Sequence, residues 1–265
     1  MDKATLGGLV LAIGGILLGL MLEGGNLGQV LQPTAAMIVF GGTLGAVLIQ
    51  YPLPVALSAF RWLAQVFVEP ANSAQSTIEL LVKYANQARR EGIISLDKEL
   101  DNIREPFLRR ALMLAVDGTE PQELRKIMEL ELDNQEEQEE KIPQLFESAG
   151  GFSPTIGIIG AVLGLIQVMQ HLDKIDEVGK GIAVAFVATL YGVGAANLIL
   201  LPASGKLKIR IRNEQIIREM TLEGVVSILE GMNPRILEAK LLGFVAKAND
   251  PAVVPEESNA GVSNL

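Results

Sequence analysis

The chain of 265 residues contains no cysteine, which removes disulfides, thiolate nucleophiles and thiolate metal ligands together. It contains one histidine, His171, too few for a histidine-ligated zinc or a histidine-based triad. Positive charge is short as well: 22 Lys and Arg stand against 31 Asp and Glu, for a net charge of -9. Phosphate backbones need a Lys/Arg surplus, so nucleic acid is excluded as a partner. No D-x-D cluster or Gly-rich phosphate loop occurs, and no carboxylates pair at the end of an apolar run beyond Asp173, Asp176 and Glu177. A membrane enzyme using Mg²⁺ is therefore disfavoured, and the chain reads as a non-enzyme with no metal and no cofactor.

What is present falls into two populations. Hydrophobic residues make up 49% and charged residues 20%, and a mean hydropathy of +0.34 is too high for an ordinary soluble domain. The charges avoid four stretches completely: 4–22, 24–60, with its apolar centre at 34–50, 148–172 and 181–205. A span of about 20 apolar residues at about 1.5 Å per residue crosses a bilayer core of about 30 Å. Four transmembrane helices are therefore expected, with short links after the first and third. The first run is longer than a signal-peptide core of about 7–15 residues and no Ala-x-Ala site closes it, so it reads as a span.

Lys and Arg set the orientation. The link after the first span has none, and the link after the third has Lys174 and Lys180. The rest lie near the N-terminus, in the large loop, or in the group Lys206, Lys208, Arg210 and Arg212 that follows the fourth span. Both termini and the loop are thus expected in the cytoplasm. The expected organisation is a hairpin at 1–52, a cytoplasmic helical domain at 53–148, spans three and four at 149–203, a cytoplasmic helical segment at 204–248 and a disordered tail at 249–265. The fold class is an all-α integral membrane protein with a cytoplasmic part built from the loop and the C-terminal segment.

The loop carries helical signals and no strand alternation. From Asn72 to Arg90, Ile78, Leu81, Val82 and Ala85 recur at spacings of three and four, with Gly92 as the stop. Glu105-Pro106 opens a helix that Asp117-Gly118 closes. Thr119 reads as the next N-cap, with Pro121 in the first turn and Gln122 in the capping-box position, and Pro143 is expected to bend or interrupt that helix. After Pro202 a long helix is expected to reach Gly231. Asn233-Pro234 then breaks it, before a last amphipathic helix with Ile236, Leu237, Leu241 and Phe244.

Within the spans, Gly15 and Gly19, Gly41 and Gly45, and Gly157, Gly160 and Gly164 form small-residue stripes. Such stripes let helix backbones approach in lipid, within one chain or in an oligomer. No span holds Asp, Glu, Lys or Arg, so a partner must supply any group that titrates in the membrane. The available hydroxyls are Thr43, Thr155, Thr189 and Tyr191. Each is either bonded to its own helix carbonyl or turned to an ion path. Pro154 stands at the entrance of span three, where a first-turn proline costs little. Pro202 lies inside a continuous helical pattern, as boundary punctuation or as a kink that couples membrane to cytosol.

These features resemble the MotA/TolQ/ExbB family in its flagellar-stator form. The resemblance rests on Ala88-Arg89-Arg90-Glu91-Gly92-Ile93-Ile94-Ser95-Leu96-Asp97, Val116-Asp117-Gly118, Gly150-Gly151-Phe152-Ser153-Pro154-Thr155-Ile156-Gly157 and Ala188-Thr189-Leu190-Tyr191-Gly192 leading to Pro202. It covers about residues 1 to 245. It implies a pentameric ring in membrane lipid around a MotB-type single-span partner, whose aspartate binds the travelling ion. It further implies a role for Pro154 and Pro202 in the conformational step, and for Arg89, Arg90, Asp97, Lys98 and Glu99 as the surface that pushes on the rotor protein FliG. Asp97 stands where relatives usually have Glu, which keeps the charge and shortens the reach.

Sodium-driven relatives carry a threonine where this chain has Ala161, as well as the one matched by Thr189. Alanine offers no oxygen to a partly dehydrated Na⁺, so H⁺ is the expected coupling ion and Na⁺ the less favoured one. A TolQ/ExbB-type subunit that energises the outer membrane is the nearest rival, but such relatives have three spans. A passive membrane anchor is a further alternative. Residues 53–147 hold 11 Lys and Arg against 18 Asp and Glu, and the surplus is concentrated between Glu129 and Glu147. That acidic stretch reads either as a solvated helix face or as a cation-attracting ring below the pore.

Overall fold

A computed structural model describes residues 3–65 and 74–248, and among these there is no strand. The expected tail at 249–265 and the start of the run at Asn72 lie outside the described residues. Four helices are long and apolar enough to cross a membrane. They divide, with the rest of the chain, into two compact units: residues 1–70 with 136–211, and residues 71–135 with 212–265. Residues 53–65 and 136–148, which the sequence places with the cytoplasmic domain, pack in the same unit as the spans.

In the membrane unit the first span is the helix Lys3–Leu22, apolar on every side and without a buried residue. Such a helix can face lipid or another subunit all round. The second span is broken. A one-turn helix, Leu27–Val30, is followed by extended Leu31 and Gln32. Helix resumes at Pro33, passes through a π turn at Met37–Gly41 and ends at Gln50. Pro33 explains the restart, because its fixed φ suits the first helical position and it has no N–H to lose there. A further apolar helix, Leu53–Gln65, follows.

The third span belongs to one unbroken helix, Pro121–Gln170, that contains both Pro143 and Pro154. Two expectations are corrected here. Pro143 does not interrupt the helix; its carbonyl instead accepts a hydrogen bond from the buried Ser204 hydroxyl at 2.9 Å. Pro154 stands in the helix interior and not in a first turn, so the Gly150 carbonyl has no N–H to accept from at that position. The fourth span starts at Ile175 and carries a π turn at Ala196–Leu200 immediately before Leu201–Leu229. Pro202 thus falls just after a π turn, where the local i→i+5 pattern accommodates a missing N–H.

Spans three and four are held together by close backbone approach. A Cβ at Gly157 would stand 2.9 Å from the Ala188 carbonyl oxygen, one at Gly160 2.7 Å from the Ala188 Cβ, and one at Gly164 2.7 Å from the Gly181 carbonyl oxygen. From the other side, a Cβ at Gly192 would meet the Ser153 carbonyl oxygen at 2.5 Å. Only glycine fits such sites, and van der Waals contact is what associates helices in lipid. The second span joins this pair along Ala35, Val39, Thr43 and Val47, buried at four-residue spacing. By contrast, a Cβ at Gly15, Gly19, Gly41 or Gly45 would meet nothing within 4 Å, so those stripes serve no contact inside this chain.

The second unit is a helical bundle. The helix Ala74–Glu91 buries Ile78, Leu81, Tyr84 and Ala85, while Val82 packs partly buried at the edge of the core. These meet Phe107, Leu112, Leu124, Met128, Met220, Leu237 and Leu241 in one core, each worth about 1.5–3 kcal/mol of burial. Glu105 caps Pro106–Val116 by accepting from Phe107 N–H, and Asp117 closes that helix. Gly118, at φ +82°, makes the left-handed closing turn that a side chain would resist. Thr119 is not the next N-cap: the helix starts at Pro121, so Glu120 takes that place, and the Thr119 N–H is spent on the Leu114 carbonyl at 3.1 Å. In the last helix, Pro234–Ala248, Leu237 and Leu241 are buried but Ile236 is exposed, because it sits on the opposite side of the turn from the core.

Glu223 ties three helices of this unit. It accepts from Arg125 at 2.8 Å and from Lys240. Burial alone would raise its pKa, but the hydrogen bonds from Lys240 and Arg125 outweigh this and hold it below the ordinary carboxylate range. The stability it contributes is therefore complete above about pH 4.3 and is lost as pH falls through its lower folded value. Glu223→Gln is expected to destabilise this unit at pH 7 by about 1–3 kcal/mol and to flatten the acid limb of its pH–stability curve, as measured by chemical denaturation. For the membrane unit, Gly192→Ala is expected to cost about 1–3 kcal/mol, whereas Gly15→Ala leaves thermal unfolding in detergent unchanged.

Candidate functional site

The candidate membrane site lies on spans two, three and four. Thr189, half-buried, donates from Oγ1 to the Ala185 carbonyl at 3.2 Å, and Thr155, exposed, donates to the Phe152 carbonyl at 2.7 Å. Both hydroxyls thus spend their proton on their own helix and keep oxygen lone pairs for a cation. Ala161 is half-buried on the third span and adds no oxygen. Tyr191 behaves differently. Its hydroxyl reaches across to the second span, donating to the Val30 carbonyl at 2.5 Å and accepting from the Gln32 N–H at 3.3 Å. Its ring stacks on Phe40 with centroids 5.9 Å apart.

Two other hydroxyls, those of Thr43 and Ser153, are buried with no hydrogen-bond partner. Ser153 precedes Pro154 and lies against Gly192. Composition could not single it out, because a serine in an apolar helix usually bonds back to its own carbonyls. On the side of the unit where Lys206 meets Thr5, Lys208 pairs with Glu147 at 2.6 Å. The acidic stretch is partly neutralised by its neighbours: Glu129 pairs with Arg125 at 3.7 Å, Glu131 with Arg110 at 3.0 Å and Glu137 with Lys141 at 3.2 Å.

The second site lies in the helical bundle. Arg89 and Arg90 form the exposed last turn of Ala74–Glu91. Gly92, at φ +83°, turns the chain into a ten-residue stretch of 3-10 helix, Ile93–Asn102. Leu96 and Leu100 are buried, and they anchor the stretch so that Ile94, Asp97 and Lys98 are exposed. The turn is fixed by Ser95, whose hydroxyl donates to the Gly92 carbonyl at 2.7 Å and whose own carbonyl accepts from the Gln87 amide at 3.1 Å. Glu99 is less exposed than Asp97 and Lys98 and pairs with Lys83 at 3.5 Å. Burial, with the Glu99 carboxylate beside it, raises the pKa of Tyr84.

Comparison with known proteins covers almost the whole chain. The Motility protein A N-terminal family matches residues 6–92, and the MotA/TolQ/ExbB proton channel family matches residues 99–220. Motility protein A of Bacillus subtilis is 35% identical over 98% of this chain and 96% of its own length. Among solved structures, C. jejuni MotAB superposes with a TM-score of 0.87 at 32% identity, covering 97% of this chain and 100% of that one. The flagellar MotAB stator complex from Bacillus subtilis superposes with a TM-score of 0.84 at 35% identity, covering 93% and 97%. These matches, over nearly the whole chain and at 35% identity, show that the chain belongs to the MotA/TolQ/ExbB proton channel family, in its motility protein A branch.

Proposed function

We propose that this chain is the ring-forming stator subunit of a flagellar motor, which with a MotB-type single-span partner converts proton flow into torque on the rotor. The observation that carries this reading is the absence of any Asp, Glu, Lys or Arg from the glycine-packed stretches 148–172 and 181–205 of the third and fourth spans, in a chain of a proton channel family. These stretches offer hydroxyls but no carboxylate or amine, so the titrating carboxylate belongs to a partner. The match of residues 6–92 to a motility-specific family favours this over a TolQ/ExbB-type subunit.

In this reading the chain sits in the bacterial inner membrane, with the large loop and both termini in the cytoplasm, because Lys206, Lys208, Arg210 and Arg212 follow the fourth span. Five copies surround the partner. Thr189 and Thr155 offer oxygens along the ion path, while Ala161 offers none, which suits H⁺ better than Na⁺. Pro154 and Pro202, each interrupting main-chain hydrogen bonding in a long helix, are the points where those helices change shape as the ion passes. Arg89, Arg90, Asp97 and Lys98 meet the rotor protein FliG. Glu99 supports them through Lys83.

Two measurements test this. Charge reversal at Arg89 together with Arg90 is expected to abolish swimming while the purified complex with its partner keeps its size; loss of the complex would make those arginines structural. Swimming speed at fixed pH is expected to be independent of sodium concentration, and a strict sodium requirement would overturn proton coupling.

A further inference from the structure

The break in the second span is closed by one side chain from the fourth. Lys206 bonds to Thr5 at the start of the first span, and Tyr191 lies fifteen residues before Lys206 on a continuous helical path. At about 1.5 Å per residue this places Tyr191 about 22 Å into a hydrocarbon core of about 30 Å. The helix from Pro33 to Gln50 itself covers about 27 Å, so extended Leu31 and Gln32 stand toward the far edge of that core. Open main-chain groups there have no water to bond to, and each costs several kcal/mol.

The Tyr191 hydroxyl meets both sides of the gap. It accepts from the N–H of Gln32 and donates to the carbonyl of Val30, so a single phenol oxygen replaces the helical bonds lost between the two halves of the span. The adjoining π turn at Met37–Gly41 brings Phe40 onto the same ring. With its proton donated and one lone pair engaged, this oxygen is poorly placed to bind an ion, although the residue stands two positions from Thr189.

We propose that Tyr191 is a positioning residue: its hydroxyl is the bridge that allows the second span to unwind at Leu31–Gln32 within the membrane and pins that break to the fourth span. The inference rests on the side-chain geometry of one chain and stands whether or not the complex generates torque.

The test uses the full chain co-expressed with its single-span partner and purified in detergent. Tyr191→Phe keeps the ring and its stacking on Phe40 but removes the bridge. Hydrogen–deuterium exchange of the amides at 30–36 is expected to accelerate roughly ten-fold, as loss of about 1.4 kcal/mol of hydrogen bonding allows, with a lower unfolding temperature. Pro33→Ala restores an N–H at residue 33 and lets the helix close across the gap. The double variant Tyr191→Phe/Pro33→Ala is therefore expected to regain most of the protection. Unchanged exchange at 30–36 in Tyr191→Phe would overturn the proposal. So would failure of Pro33→Ala to rescue, or an altered ion dependence of swimming with exchange unaffected, which would return Tyr191 to the ion path.

Discussion

Spans three and four touch backbone to backbone, and the rest of the membrane unit is arranged around that contact. Glycines at 157, 160, 164, 181 and 192 allow it, and no other force would hold two uncharged helices together in lipid as closely. The second span then packs Ala35 and Val39 against Val187 and Ala188, while the first span contributes no buried residue. Along the packed stretches 148–172 and 181–205 there are hydroxyls and carbonyls and no charged side chain.

The same unit tolerates unusual backbone where side chains compensate. Proline removes a main-chain donor at 143, 154 and 202 in long helices. The Ser204 hydroxyl engages the Pro143 carbonyl, a π turn precedes Pro202, and Tyr191 bridges the gap before Pro33. Beside Pro154 the Ser153 hydroxyl is buried without a hydrogen-bond partner. In the bundle, burial of Leu96 and Leu100 under the turn at Gly92 presents Asp97 and Lys98 at the surface.

Charge distribution in the sequence was sufficient to locate the four spans, because an uncharged run of about 20 residues has few other meanings. Helix ends at Gly92, Gly118 and Asn233-Pro234 were legible through turn chemistry that acts within four residues. What was not legible depended on neighbours distant in the chain. The break at Leu31–Gln32 is marked locally only by Pro33, which biases Gln32 to extended backbone, and the tyrosine that bridges it stands about 160 positions away. The stretch Ile93–Asn102 has too short a pattern to choose 3-10 helix over a loop. Of the three glycine stripes, only the third packs in this chain, a difference that spacing alone cannot express. Thr189 and Thr155 proved to bond back to their own helices, as the plain chemistry of hydroxyls in lipid leads one to expect, whereas Tyr191 did not.

The central claim is that membrane spans without a carboxylate or an amine between them cannot move protons unaided. Proton flux into proteoliposomes tests it most directly, with the purified chain alone compared with the chain reconstituted together with its single-span, aspartate-bearing partner. The account predicts no flux above empty liposomes for the chain alone and measurable flux with the partner. Equal flux from the chain alone would contradict it.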